Sequence, residues 1–123
     1  MKQATTLLTI VLAILFLSAP SAEAQWNQMN GPFGGTVYCI TTAPNGTSGT
    51  LLFAGTQGNG IFRSNDNGAS WTACNTGLPI YVNTVRTIAV SGSNLFAGVV
   101  GGGVFVSNNN GASWTAVNSG LTN

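Results

Sequence analysis

Short runs of apolar and β-branched residues alternate with turns rich in Gly, Asn and Ser along most of the chain. In the second half these runs are Thr84–Val90, Asn94–Gly98, Gly103–Ser107 and Ser113–Val117. β-Branched and aromatic residues favour strands, whereas Gly, Asn and Ser favour the turns between strands. The pattern therefore predicts four short strands in this half of the chain.

The first half has the same order of runs and turns. Its predicted strands are Thr36–Thr42, Leu51–Thr56, Gly60–Ser64 and Ser70–Cys74. Several strands carry apolar residues on both pleat faces, as in Leu51–Ala54, which is typical of a sheet that is covered on two sides. We therefore expect each four-stranded sheet to have a neighbour on both faces.

The two halves match residue by residue at a spacing of 43 positions. Leu52–Leu78 aligns with Leu95–Leu121 without a gap, and 19 of the 27 aligned pairs are identical. Four antiparallel strands in a repeat of this length indicate a β-propeller, whose blades are four-stranded sheets around a channel. The expected fold class is all-β, with about two propeller blades in an incomplete ring; a solenoid of stacked β-coils is the alternative.

Residues 1–24 have a different composition from the rest of the chain. Lys2 precedes an apolar run from Leu7 to Leu17, and Ser18–Ala24 ends in an A-x-A pattern. This order is typical of a secretory signal peptide, and an apolar run this short does not span a bilayer. We expect cleavage before Gln25, a secreted or periplasmic location, and no membrane attachment after cleavage.

A W-x-x-x-N pattern at Trp26–Asn30 recurs at Trp71–Asn75 and Trp114–Asn118. It predicts an isolated N-terminal fourth strand and linker in residues 25–35, followed by one blade in residues 36–78 and another in 79–123. A closed propeller usually has at least four blades. Two explanations stay open: the chain is a piece of a longer propeller, or several copies self-associate through their unpaired strands.

Charged side chains are scarce after the predicted cleavage site. Only Arg63, Arg86 and Asp66 remain, and the chain has no histidine. Such a surface lacks the basic field that nucleic acids require. One carboxylate does not supply the acid and base pair of most glycosidases, and the lack of histidine argues against zinc sites and nucleophile–histidine pairs. We therefore expect no nucleic-acid partner, no catalytic residues, no metal and no cofactor.

The two cysteines lie on the first and fourth predicted strands of one sheet. Neighbouring strands are about 4.8 Å apart, so three steps separate Cys39 and Cys74 by roughly 14 Å. A disulfide needs Cα atoms within about 7 Å. The sequence therefore predicts two free thiols.

Two turns carry a known motif. Ser64–Trp71 (SNDNGASW) fits the pattern S-x-D-x-G-x-[ST]-W, and Ser107–Trp114 repeats it with Asn109 in place of the aspartate. The chain resembles the Asp-box, or BNR, repeat proteins, which include sialidases, xyloglucanases, sortilin-type receptors and photosystem II assembly factors. This resemblance implies propeller blades, and it does not select one of these functions.

We interpret the motif as structural. Gly68 and Gly111 are expected to supply positive φ, Asp66 to accept N–H bonds across the turn, and Trp71 to insert between sheets. The amide oxygen of Asn109 can also accept such a bond, without the added strength of a charge. The structural Asp-box residues are Ser64, Asp66, Gly68, Ser70, Trp71, Ser107, Asn109, Gly111, Ser113 and Trp114.

The loops between strands are the expected place of ligand contact. The candidate ligand residues are Gln57, Asn59, Tyr81, Asn83, Val100 and Gly102. We expect a secreted, non-catalytic β-propeller repeat module that binds a protein or a carbohydrate. The alternatives are an N-terminal fragment of a sialidase- or xyloglucanase-like glycoside hydrolase and a propeller similar to photosystem II assembly factors. For sialidase chemistry, the candidates by residue type alone are Tyr38, Tyr81, Arg63 and Arg86.

Overall fold

A computed structural model of the chain describes residues 30–32, 35–46, 49–81 and 83–121. These residues form eight strands, in agreement with the all-β prediction. The strands are β1 (Val37–Pro44), β2 (Thr50–Thr56), β3 (Ile61–Ser64), β4 (Thr72–Ala73), β5 (Val85–Ser91), β6 (Asn94–Val99), β7 (Gly103–Ser107) and β8 (Thr115–Ala116). Among them there is no helix long and apolar enough to cross a bilayer. The predicted signal peptide and the predicted strand at Trp26 lie outside the described residues.

The eight strands form two antiparallel sheets, and each strand pairs with the next one along the chain. The first sheet has the order β1-β2-β3-β4, and the second has the order β5-β6-β7-β8. The two sheets pack against each other through β1, β2 and β5. The arrangement of these two sheets is open rather than closed on itself.

The last strand of each sheet is shorter than the sequence predicts. β4 and β8 have two residues each, whereas the apolar pattern predicted five. The difference arises because the turns before them extend further: Trp71 and Trp114 precede the strands and make no ladder pairs. The expectation of a tryptophan within the fourth strand was therefore wrong.

Burial differs between the two sheets. Every residue of β2 after Thr50 is buried or half-buried, and five of the seven are buried. In β6, buried residues alternate with half-buried ones. β2 is therefore covered more completely than β6. Among the described residues each sheet packs against the other on one face only, so the expected neighbouring sheet on both faces is found for neither sheet.

The free thiols that the strand order predicts are confirmed: Cys39 and Cys74 form no disulfide. Burial raises the pKa of the Cys74 thiol to about 11, and the nearby Arg63 guanidinium only partly opposes this. Burial also raises the pKa of Cys39. Because the thiolate is the reactive form, both thiols are poor nucleophiles at neutral pH.

Candidate functional site

The first box turn, Ser64–Trp71, is held by bonds among its own residues. The Ser64 hydroxyl donates to Asp66 Oδ1 at 2.7 Å and accepts from the Gly68 N–H at 2.8 Å. Asp66 Oδ1 also accepts from the Ser70 N–H at 2.9 Å, and the Ser70 hydroxyl donates to Oδ2. Asn67 and Gly68 adopt positive φ, 57° and 90°. The carboxylate thus closes a tight turn with both of its oxygens.

The second box turn, Ser107–Trp114, has the same bonds with an amide in place of the carboxylate. The Ser107 hydroxyl donates to Asn109 Oδ1 at 2.8 Å and accepts from the Gly111 N–H at 2.9 Å. Asn109 Oδ1 accepts from the Ser113 N–H at 2.9 Å. One bond is reversed, because Asn109 Nδ2 donates to the Ser113 hydroxyl at 2.8 Å. The turn therefore keeps its shape without a charge.

The acid strength of Asp66 follows from these bonds. Hydrogen bonds from the Ser70 side chain and backbone, and then from Ser64, lower the pKa of Asp66 to about 2. Donors that bond the ionised form favour it over the protonated form. Asp66 is fully exposed, and no group of three His, Cys, Asp or Glu residues within the described ranges lies close enough together to hold a metal ion.

Stability is expected to depend on pH through Asp66. Its folded-state pKa lies near 2 and its unfolded-state pKa near 4, so the unfolded chain binds the proton first as pH falls. The contribution is therefore complete above about pH 5 and is lost as pH drops from about 5 to 2. Asp66→Asn should remove this dependence, and Asn109→Asp, its matched control, should add a second one. Urea unfolding at pH 6, 4, 3 and 2 measures both; equal pH slopes for wild type and Asp66→Asn would contradict the assignment.

The second box turn fastens the two sheets together. The Trp114 side chain is 3% exposed, and its Nε1–H donates to the Cys74 carbonyl at 2.9 Å. Its backbone N–H donates to the Thr76 carbonyl at 2.9 Å. A Cβ added to Gly111 would lie 2.7 Å from the Phe53 ring, which shows how closely this turn approaches the first sheet.

Arg63 also joins the two sheets. Its side chain is half-buried. Its Nη1 donates to the Asn110 carbonyl at 3.0 Å, across the contact between the first sheet and the second box turn. Arg63 is therefore used in packing and is not a free cation for ligand binding.

Two asparagines that the sequence analysis treated only as repeat markers bind backbone groups. Asn75 Oδ1 accepts from the Ile61 N–H at 2.7 Å, and its Nδ2 donates to the Asn59 carbonyl at 3.1 Å. Asn118 does the same with Val104 and Gly102, at 2.7 and 2.9 Å. The repeated W-x-x-x-N pattern, with an asparagine four residues after each tryptophan, was the sequence signal for this role.

The predicted ligand residues lie at one end of the sheets, which we name the rim. The rim consists of Gln57–Asn59, Pro79–Tyr81, Asn83–Thr84 and Val100–Gly102. Hydrogen bonds connect its segments: the Gly58 N–H donates to Thr84 Oγ1 at 3.2 Å, and the Gly60 N–H donates to the Asn83 carbonyl at 2.7 Å. The Val100 N–H donates to the Thr84 carbonyl at 2.9 Å, so the structure gathers all six predicted residues onto these four neighbouring segments.

The rim exposes apolar and amide side chains. Tyr81 is 91% exposed, Ile80 is 74% exposed and Val100 is 45% exposed. Gln57 and Asn59 are exposed as well, whereas Asn83 and Gly102 are half-buried. Asn83 Nδ2 donates to the Ile80 carbonyl at 3.3 Å, so this amide helps to hold the segment that carries Tyr81.

A Tyr–Arg pair joins β1 and β5 at the rim end of the two sheets. The Arg86 guanidinium carbon is 4.8 Å from the centre of the Tyr38 ring, within the range of a cation–π contact. Both residues sit at register shifts, between Val37 and Cys39 and between Val85 and Thr87. Sequence reasoning considered both residues without pairing them. Aligning Thr36–Ile40 with Thr84–Ile88 would have placed them at matching positions.

A cleft of about 420 Å³ lies at the end opposite the rim. The β1–β2 turn, the β5–β6 turn and the second box turn surround it. Its apolar side chains include Ala43, Val90 and Leu95, and its polar ones include Asn108 and Asn110. No charged side chain lines it among the described residues.

Comparisons of the chain with protein-family models, with curated proteins and with solved structures found no match. The functional proposal therefore rests on the geometry of the rim and on the charges of the described residues.

Proposed function

We propose that the chain is a secreted, non-catalytic β-propeller repeat module that binds a protein or a carbohydrate through the rim. Two four-stranded antiparallel sheets, each with strands in chain order, support the propeller part of this proposal. The contact between the inner strands β1 and β5 supports it too, because blades of a propeller meet most closely near their axis. The resemblance of both box turns to Asp-box repeats points in the same direction.

The observation that carries the binding role is the exposed aromatic and amide surface of the rim. Tyr81 leaves nearly its whole side chain in water, beside Ile80. Tyrosine is enriched at binding hot spots because it combines a large apolar face with a polar tip. The amides of Gln57 and Asn59 can both donate and accept hydrogen bonds, as sugar hydroxyls or peptide groups require.

The glycoside hydrolase alternative has less support. Asp66 is the only carboxylate side chain among the described residues, and its own turn uses both oxygens. Arg63 is bonded to the second box turn, so Arg86 is the one described arginine at the rim end. Most glycosidases need two carboxylates at the bond that is cleaved.

A titration tests the proposed binding role. Glycans that the chain retains on an array would be added to isotope-labelled chain, and amide shifts should be concentrated in Gln57–Asn59 and around Tyr81. Tyr81→Ala should weaken binding about tenfold or more, whereas Ser93→Ala at the opposite end should not change it. No retained glycan together with no captured protein, or shifts confined to the cleft end, would contradict the proposal.

A further inference from the structure

The contact between the two sheets has two complementary sides. We name them the receiving side, on the first sheet, and the docking side, on the second sheet. The first sheet offers the face that carries Phe53, Ile61, Arg63 and Cys74, because directly paired residues such as Phe53 and Arg63 share a face. The second sheet contributes the face that carries Leu95 and Phe105, together with the second box turn. Phe96, which matches Phe53 in the repeat, lies on the other face of this sheet. On the docking side Leu95, Phe105 and Trp114 are buried, at 1%, 6% and 3% exposure.

The first sheet carries a second copy of the docking side. The residues 43 positions before Leu95, Phe105 and Trp114 are also a leucine, a phenylalanine and a tryptophan, and all three are only half-buried. They are Leu52, Phe62 and Trp71. The first box turn that precedes this tryptophan has the same hydrogen bonds as the docked turn. This second copy of the docking side therefore leaves its leucine, phenylalanine and tryptophan partly exposed, although Ala54 and Thr56 on the same face of β2 are buried.

The second sheet carries a second copy of the receiving side. The residues at the matching positions are Phe96, Val104, Val106 and Val117, and we name this set the open face. Phe96 and Val106 pair directly, so they lie on one face of the ladder. Three of the four are half-buried, and Val117 is 42% exposed.

Two glycines show that the open face has room for a docked turn. An added Cβ at Gly77 would overlap the Trp114 carbonyl oxygen, because the second box turn lies directly against it. Gly120 occupies the matching position with nearly the same φ, 86° against 90°, and nothing lies within 4 Å of its added Cβ. The open face therefore has the receiving shape without the turn that fills it.

We propose that two copies of this chain pack head to tail, with the first box turn of one copy docked on the open face of the next. One chain carries both the docking side and the receiving side, so the contact is heterologous and can repeat. Val106 replaces Arg63 on the open face, which leaves it entirely apolar, so docking there buries no charge of that face. If the ring closes at four to eight sheets, as propellers do, it contains about two to four copies.

Two variants block the two sides separately. Trp71→Ala removes the tryptophan of the docking side, and Val117→Arg places a charge on the exposed part of the receiving side. Each should weaken association by about 30-fold or more, as loss of a central anchor does. Ser93→Arg, in an exposed turn that belongs to neither the docking residues nor the open face, should associate like the wild type.

The decisive experiment mixes the two variants and measures association by sedimentation velocity. It uses chain that has been purified after export. The wild type should form head-to-tail oligomers, and each blocked variant alone should be monomeric. An equal mixture should form a 1:1 complex, because Val117→Arg keeps an intact docking side and Trp71→Ala keeps an intact receiving side. A wild type that stays monomeric at about 0.5 mM, association that neither variant weakens, or a mixture that stays monomeric would overturn the proposal. Circular dichroism confirms that each variant is folded.

Discussion

Replacing Trp114 by alanine is expected to lower the free energy of unfolding by about 3–5 kcal/mol. The ring is 3% exposed and fills the contact between the two sheets, so truncation leaves a large cavity there. The Cys74 carbonyl also loses the Nε1–H donor that lies 2.9 Å away. Removing both packing and a hydrogen bond places this change among the most costly in the chain.

Trp71→Ala is the matched control for Trp114→Ala. Trp71 has the same local sequence and ends the same kind of turn, but its side chain is only half-buried. We expect it to cost about 1–2 kcal/mol, because less apolar surface returns to water. Urea unfolding followed by circular dichroism, at a concentration where the chain is monomeric, measures both variants without relying on tryptophan emission. Equal costs for the two variants would show that Trp114 does not hold the sheets together.

Gly77→Ala is expected to be the second most damaging change. Gly77 has a φ of 90°, where a Cβ is strained, and the new Cβ would overlap the backbone oxygen of Trp114. A backbone atom cannot rotate away as a flexible side chain can. We therefore expect the strain of positive φ, about 1–3 kcal/mol, and a further 1–3 kcal/mol or so from displacing the second box turn.

Gly120→Ala separates these two contributions. It introduces the same substitution at a φ of 86°, with nothing within 4 Å of the added Cβ. It should therefore show the backbone strain alone, and the difference between the two variants measures the contact at Gly77. The measurement is the urea midpoint of each variant at a concentration where the chain is monomeric. If Gly120→Ala destabilises the chain as much as Gly77→Ala, the overlap with Trp114 has no energetic weight.

The positions of the strands could be predicted from the sequence because turn residues mark their ends. The turns at Gly92 and Gly101, for example, have positive φ and separate β5 from β6 and β6 from β7. The lengths of β4 and β8 were predicted less well, because the box turn uses residues that resemble a strand in composition. A period-two pattern cannot distinguish a tryptophan in a ladder from one that anchors a turn.

The environment of each box turn could not be predicted from the sequence. Trp71 and Trp114 lie in nearly identical segments, yet one is half-buried and the other is buried. Burial depends on which sheet lies opposite, and local sequence does not specify that. The bond from Arg63 to Asn110 joins residues 47 positions apart, and the contact between Tyr38 and Arg86 joins two different sheets.

The docking of the second box turn on the first sheet can be tested most directly by a nuclear Overhauser measurement between Gly111 and Phe53. The close approach of these residues predicts strong cross-peaks between the Gly111 Hα protons and the Phe53 ring protons. The Trp114 indole Nε1–H should show cross-peaks to residues near Cys74 in the same spectrum. A folded chain in which the Phe53 ring has cross-peaks only to residues of its own sheet would contradict the docking.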